Sequence, residues 1–400
     1  MNQALRVAQL ANFVTPTSGG LRVVVDELGR SVLDGGGHRL RLVPGRAPDP
    51  GPAQPPHVAA DGRDHTVAVA GFPLPGSRGR YHVLLHRGTV ARALTAFGPD
   101  VIEVHDQTTL AWAGRWARRH AVPCLLVAHE RLDHVAARTT HLPPAALERP
   151  VRRWAARLSH DHDAVVCASD FAAEPFRAAG ATNVHRIPFG VDLRTFAPRP
   201  RVDESPWRPG ALRLVLVGRL SREKEPGTAL GVLARLGAAG LRTHLVVLGH
   251  GPLEPSLRAR ARDERLPVTF LGHVAERGRV AQLLAGADVA IAPGPCETFG
   301  LSVLEALACG TPVVASDSGA AKELLAPGVG ATGRTVEGLV CAVRTVLARP
   351  DAGGRARAHA EQFSWERACA AFADLRAQLV RHRSAAPEPI RRAAAGAPVS

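Results

Sequence analysis

Short apolar runs, too brief to be helices, alternate along this chain with longer amphipathic segments rich in Ala, Arg and Leu. This alternation restricts the fold more than any other feature, because strand–helix–strand units close into parallel sheets that need helices on both faces. In the first half, strands are expected at 5–14 (LRVAQLANFV), 39–43, 100–104 (DVIEV), 123–128 (PCLLVA) and 164–168 (AVVCA). In the second half they are expected at 212–217 (LRLVLV), 243–248 (THLVVL), 268–271, 288–292 and 312–315 (PVVA). Between the sets, 196–211 (FAPRPRVDESPWRPGA) is polar and proline-rich and reads as a linker. At roughly 100–200 residues per domain, a chain of 400 residues has room for two cores. The expectation is an α/β protein of two Rossmann-like, doubly wound parallel-sheet domains, 1–195 and 212–360, facing each other across a cleft. Residues 361–382 place Phe, Trp, Ala and Leu at helical spacing and read as a closing helix that packs back on the first domain. Residues 44–56 (PGRAPDPGPAQPP) read as a surface loop, and 383–400, without apolar period, as a disordered tail.

Composition removes several classes of function. No apolar run approaches the roughly 18 residues of a spanning helix, and the first residues, MNQALRVAQLANFV, read as a strand and lack the marks of a signal peptide. A cytoplasmic location is expected. The six cysteines stand singly, with no C-x-x-C pair and no metal-ligand spacing, and are read as reduced thiols. The formal charge of +14 asks for anionic partners, but it is spread thinly, and aromatics are only 4%, too few for base-stacking platforms. Nucleic acid is therefore not expected as a partner. Of the 50 basic Lys and Arg residues only two, Lys224 and Lys322, are lysines. In so arginine-rich a chain a lysine invites a specific reason, since a compact ammonium and a planar guanidinium are not interchangeable.

The chemistry-bearing residues cluster where strands end. CETFGLSVLEALACGTPVV (296–314) places Glu297 in a loop after a strand and Glu305 eight positions on, early in the next helix. The free N–H groups at Phe299, Gly300 and Leu301 would attract an anion, while the two carboxylates, as pure acceptors, suit vicinal hydroxyls. The alternative is that Glu297 complements the helix dipole and Glu305 is a solvated helix residue. In VGRLSREKEPG (217–227), Arg219 and Lys224 sit at a helix start, where cations oppose the dipole unless a bound diphosphate reverses the sign. The alternative there is surface pairing with Glu223 and Glu225. VVLGHGPLEPSL (246–257) ends a strand in a Gly-x-Gly turn without the third glycine of a dinucleotide fingerprint. Gly19 and Gly20 open a helix after the first strand and would present bare amides to the cleft. His129 ends the strand PCLLVA, a position that is compatible with a role but does not require one. The D-x-D of 161–163 precedes its strand, the wrong end for a ligand, and is not read as a metal site.

Taken together and in order, the E-x7-E stretch, G-R-L-x-x-x-K, the G-x-G-P turn, IPFGVDLRTF (187–196) and the FSW helix resemble the GT-B glycosyltransferases of family 4. The first-half patterns ANFVTPTSGGLR and EVHDQTTLAWAGRWARRH look most like the actinobacterial, GDP-mannose-dependent mannosyltransferases. The resemblance implies a retaining, metal-independent transfer of a hexose from a nucleotide-diphospho-sugar to a lipid or glycan hydroxyl, with no cofactor. It implies that Arg219 and Lys224, with the loop at Gly19 and Gly20, face the donor diphosphate. Glu305 would bind the ribose diol, Glu297 the transferred sugar, and the amides of Phe299, Gly300 and Leu301 would approach the donor. His129 would lie beside the sugar ring, so that His129 and Glu297 are the two residues placed at the reacting centre. A UDP-sugar donor, a sugar-nucleotide epimerase and a non-catalytic sensor of sugar nucleotides are the competing readings. The segment 60–95 matches only loosely, and the acceptor is not legible. The basic stretches RWARR (115–119) and VRRWAAR (151–157) fit either contact with an anionic membrane, such as the inner face of the plasma membrane, or solvated helix faces with buried Trp.

Overall fold

The computed structural model describes residues 4–14, 19–45, 57–58, 62–74, 81–140, 142–200 and 206–385. The first half contributes strands β1 (Arg6–Leu10), β2 (His38–Gly45), β3 (His57–Val58), β4 (Asp64–Ala70), β5 (Phe72–Pro73), β6 (His82–Val83), β7 (Val101–Val104), β8 (Cys124–Ala128), β9 (Ala164–Cys167) and β10 (Val184–Arg186). Its helices are α1 (Gly20–Asp34), α2 (Arg87–Phe97), α3 (Trp112–Arg119), α4 (Leu132–Thr140), α5 (Pro144–Asp161) and α6 (Asp170–Ala178). The second half contributes β11 (Leu212–Val217), β12 (Thr243–Leu248), β13 (Val268–Gly272), β14 (Val289–Ala292), β15 (Val313–Ser316) and β16 (Gly330–Gly333). Its helices are α7 (Pro226–Ala238), α8 (Glu254–Asp263), α9 (Arg277–Gly286), α10 (Leu301–Ala308), α11 (Val336–Leu347), α12 (Ala352–Ala360) and α13 (Trp365–Ala385).

Two sheets result. The first runs β10-β9-β8-β7-β1-β2-β4-β3 and is parallel apart from the β3–β4 pair; the second runs β13-β12-β11-β14-β15-β16 and is parallel throughout. A short antiparallel pair, β5 and β6, stands beside them. In each sheet the strand order reverses direction at one place, between β1 and β7 and between β11 and β14. That is where a doubly wound sheet opens a crevice beyond the carboxyl ends of its strands. The central strands β7, β8, β9 and β12 are buried along their whole length, which is why they read as continuous apolar runs and not as alternating ones.

Ten expected strands are present, and the spans 212–217 and 243–248 coincide with β11 and β12. Strands β3, β4, β5, β6, β10 and β16 fall outside the expectation; β3, β5 and β6 are two residues each. β16 is Gly-Ala-Thr-Gly and lacks the β-branched density that marks a central strand, whereas β4 (Asp-His-Thr-Val-Ala-Val-Ala) has it after a polar opening. The loop expected at 44–56 begins later, since β2 runs through Gly45; residues 46–56 lie outside the described ones, as do 201–205 of the expected linker and 386–400 of the expected tail. Residues 383–385 of that tail are helical, because α13 continues to Ala385. In the segment read as a polar linker, Phe196 and Trp207 are buried, and the Trp207 indole N–H donates to the Leu214 carbonyl at 2.9 Å.

The chain recrosses to the first sheet at its end. Val191 N–H donates to the Phe363 carbonyl at 2.9 Å, and a side chain on Gly190 would collide with the Trp365 backbone. From there α13 packs on α1 and β7. It carries Arg376, 2% exposed, whose Nε donates to Glu103 Oε1 on β7 at 2.7 Å, with Nη2 2.6 Å from the same oxygen. The Gln9 amide of β1 donates to Glu103 Oε2 at 2.8 Å. Burial alone would raise the Glu103 carboxyl, but Arg376, His105 and Gln9 overturn that and bring it down to about 2. Removing one partner of such a pair leaves an uncompensated buried charge. Arg376→Met is therefore expected to destabilise the protein by about 3–5 kcal/mol, read as a lowered urea midpoint; a midpoint within error of wild type would show that the pair does not anchor α13.

Candidate active site

Arg219, Lys224 and Glu297 come together at the switch point of the second sheet. Beyond β11 the chain turns at Gly218 (φ 154°), passes Arg219, and makes a 3-10 turn at Arg222–Lys224 before α7. Beyond β14 the loop from Pro293 leads to α10, whose first residue is Leu301, with Gly300 at φ 102° as the residue before it. One cavity is lined by Gly218, Arg219, Lys224, Gly294, Glu297 and Ser302 among others. The two loops meet closely there: a Cβ on Gly294 would lie 3.0 Å from the Glu223 carbonyl and 3.0 Å from Lys224 Cα. The Gly249-x-Gly251 turn has the same purpose. Side chains at those two glycines would collide with the carbonyls of Gly218 and Leu220, so they serve close packing behind the Arg219 turn and not a dinucleotide.

Lys224 does not pair with Glu223 or Glu225. Its ammonium forms an ion pair with Glu297 Oε2, a residue 73 positions away, while the Glu223 carboxylate accepts from the Ser221 hydroxyl at 2.6 Å. The rare lysine thus sits as a compact cation in direct contact with one of the two glutamates. Arg219 lies over the Tyr81 ring of the first half, 4.9 Å from its centroid, and Tyr81 in turn packs edge-on against Phe13. Glu305 is on the second turn of α10, 3.5 Å from Arg277 of α9. Burial pushes its carboxyl up to about 7, against the pull of Arg277 and with a further push from Asp192, although 18% of the side chain stays open.

The first half approaches from the other side. Gly20, the first residue of α1, lies against Leu301, so that a Cβ there would stand 2.9 Å from Leu301 Cδ1; Gly19 has open space around it. The starts of α1 and α10 therefore face each other across the cleft. His129 follows β8, with its carbonyl accepting from the Thr298 hydroxyl at 2.6 Å, and Ser169, the N-cap of α6, donates to the Thr298 carbonyl at 2.6 Å. The His129 ring lies against Phe189, which meets Phe299 edge-on. Burial, then the neighbouring His105, hold the His129 imidazole well below its usual pKa, so it is neutral at physiological pH. The D-x-D carboxylates are committed elsewhere: Asp161 faces Arg115 and Arg157 at 3.7 Å each, and Asp163 accepts from Cys124 N–H at 2.8 Å.

Of the ten expected residues, Arg219, Lys224 and Glu297 line the cavity, while Gly20 meets Leu301 and His129 meets the Thr298 loop from the first half. Sequence reasoning missed Tyr81, Ser169, Thr298, Arg277 and the group behind His129, because each meets its partner only through the tertiary fold. Crevice, paired parallel sheets and terminal crossing helix define a GT-B glycosyltransferase fold. The chain belongs to the family 4 glycosyltransferases: residues 18–195 match the model described as Glycosyltransferase Family 4, and 211–349 that described as Glycosyl transferases group 1. It is 40% identical over 378 residues to a GDP-mannose-dependent alpha-(1-6)-phosphatidylinositol dimannoside mannosyltransferase of Mycobacterium tuberculosis, covering 92% of this chain and 95% of that one. It is 32% identical to a GDP-mannose-dependent alpha-mannosyltransferase of the same species, over 81% of this chain and 82% of the other. Among solved structures, a sucrose-phosphate synthase from Thermosynechococcus elongatus superposes with a TM-score of 0.75 at 21% identity, over 94% of this chain and all of that one.

Two predictions follow from the geometry. Lys224→Ala and Glu305→Ala are expected to weaken sugar-nucleotide binding roughly tenfold or more, on the basis of about 1.5–3 kcal/mol per charge-assisted hydrogen bond, whereas Glu297→Ala mainly lowers turnover; wild-type constants in all three would remove these residues from the site. Glu305 also makes stability depend on pH. Its carboxyl titrates near 7 when folded against 4.5 ordinarily, so the folded chain holds a proton that the unfolded chain has lost between those values. This contribution is complete below about pH 4.5, is lost as pH rises toward 7, and amounts to a few kcal/mol at most. Glu305→Gln should flatten that slope in denaturant titrations, and an unchanged slope would contradict the assignment.

Proposed function

We propose that this glycosyltransferase moves a mannosyl residue from GDP-mannose to a hydroxyl of a lipid-linked acceptor of the phosphatidylinositol mannoside type, with retention of configuration and without a metal ion. The observation that carries the reading is the convergence of Arg219, Lys224, Glu297 and the start of α10 on one cavity. The choice of sugar and acceptor rests on the 40% identity to the phosphatidylinositol dimannoside mannosyltransferase over nearly the full length of both chains.

The residues suggest how the transfer works. Charge develops on the diphosphate as the glycosidic bond breaks, and two fixed cations beside a helix N-terminus neutralise it, each such preorganised group lowering the barrier by roughly 3–4 kcal/mol. Arg219 and Lys224 supply the role that a divalent cation has at other sugar-nucleotide sites. Diphosphate binding draws Lys224 from Glu297, which frees that carboxylate to accept from the sugar's hydroxyls. Glu305 accepts from the ribose diol. No side chain is assigned as a covalent nucleophile, and retention is attributed to attack on the same face as departure.

Surface features agree with a lipid acceptor. Arg118 and Arg119 on α3, and Arg149, Arg152, Arg153 and Arg157 on α5, are largely exposed, while Trp116 is half-buried and stacks on His120, and Trp154 donates to the Gln107 carbonyl at 3.1 Å. Exposed arginines on two helices suit anionic headgroups, with Arg157 also facing Asp161 at 3.7 Å and Arg118 Nη1 3.1 Å from His160 Nε2; among the described residues no helix is long and apolar enough to cross a membrane. The test is transfer from labelled GDP-mannose to phosphatidylinositol dimannoside in EDTA, with product linkage read by NMR. An α-linked product formed at the same rate with and without EDTA is expected. A β-linkage would overturn retention, dependence on added magnesium would overturn the metal-free mechanism, and transfer only from a UDP-sugar would overturn the donor.

A further inference from the structure

Behind His129 lies a buried polar chain that the transfer mechanism above does not use. His129 Nε2 is 2.9 Å from His105 Nδ1, with 28° between the two ring planes. His105, which directly follows β7, turns its other nitrogen, Nε2, toward Glu103 Oε2 at 3.7 Å, and both side chains are fully buried. Glu103 is in turn held by Arg376 of α13 and by Gln9 of β1. The order of contacts is therefore Arg376, Glu103, His105, His129, leading from the terminal helix to the cleft.

We infer that Glu103 and His105 are positioning residues which fix the tautomer of His129, so that its Nδ1 meets the donor sugar as a hydrogen-bond acceptor. The argument is one of polarity. A bare lone pair on His105 Nε2 would face a buried carboxylate 3.7 Å away and be repelled, so a singly protonated ring keeps its proton on Nε2, even though the distance is too long for a good hydrogen bond. His105 Nδ1 is then the bare nitrogen. At 2.9 Å from His129 Nε2, one of the two atoms has to donate, so the His129 proton is on Nε2. That leaves Nδ1 of His129 with its lone pair, and among the described residues it has no partner. A neutral imidazole in this tautomer accepts from a hydroxyl; in the other tautomer the same ring would present N–H. The logic is that of a buried carboxylate orienting a histidine, here relayed through a second ring. Because Arg376 arrives on α13, the anion that polarises the chain is held in place by the last helix, so the docking of that helix and the tautomer at the cleft are linked.

This inference rests on the reading of the cleft as a sugar-nucleotide site, but its first test does not. In protein labelled with ¹⁵N-histidine and free of ligand, two-bond ¹H–¹⁵N correlation spectra, assigned with His105→Phe and His129→Phe, report which nitrogen of His129 carries the proton. The expected pattern is protonated Nε2 and bare Nδ1 in the wild type, and loss of that fixed pattern in His105→Phe, which keeps the ring and removes both nitrogens. In transfer assays His105→Phe is expected to lower kcat by roughly 10- to 100-fold with little change in donor KM, and His105→Asn, whose amide oxygen can stand where Nδ1 stands, to recover part of the loss. A proton on Nδ1 of wild-type His129, or wild-type kcat in His105→Phe, would overturn the inference. The expected tautomer in a protein that transfers no sugar would instead overturn the functional reading and leave the buried relay standing.

Discussion

The hydrogen bond from the Thr298 hydroxyl to the His129 carbonyl ties the second half of the chain to the first at the point where chemistry is expected. Ser169 completes the clasp from the other direction by donating to the Thr298 carbonyl, while its own oxygen caps α6 through Ala172 N–H. Glu323 adds a second tie, its carboxylate accepting from Asp170 N–H and Phe171 N–H at 2.8 Å each, so an acidic group of the second half caps a helix of the first. The loop carrying Glu297 is thus set by both halves. Its backbone is held from beneath as well, where Ala320 N–H donates to the Glu297 carbonyl at 2.7 Å.

Electrostatics in the cleft follow from that placement. With a formal charge of +14 the chain is basic as a whole, but the cleft has few charges and they are opposed in sign: Lys224 against Glu297, Arg277 against Glu305. Under the proposed function, a diphosphate entering beside Lys224 would meet a partly exposed cation whose present partner is Glu297, next to the N-terminal end of α10. A guanidinium at position 224 would spread its charge over a plane and hold Glu297 through two bonds, which is one physical reason to keep a lysine in so arginine-rich a sequence. Arg219, by contrast, rests its flat face on Tyr81, a use for which a guanidinium is suited.

The local part of this arrangement was legible in the sequence. Strand, glycine turn and helix start are neighbours in the chain, so the positions of Arg219, Lys224, Glu297 and Glu305 at the carboxyl ends of strands follow from the pattern of apolar runs. What the sequence hid is what the fold brings together from a distance. Thr298 and His129 are 169 positions apart, Arg376 and Glu103 are 273, and nothing in either stretch announces the other. The same reason explains the missed strands: β16 is built of Gly, Ala and Thr and is held in place by the sheet it joins, not by its own propensity. The pairing of Lys224 with Glu297, rather than with its sequence neighbours, was likewise decided by tertiary structure.

The central claim is that the cleft is a site for a nucleotide-diphospho-sugar held by fixed cations of the protein. It is tested most directly by calorimetric titration of the purified protein with GDP, UDP, ADP and their sugar conjugates, in EDTA throughout. The account predicts tight binding of GDP-mannose and GDP with no added metal, weakened strongly by Lys224→Ala. Absence of binding by any nucleotide, or binding that appears only when a divalent cation is restored, would contradict it.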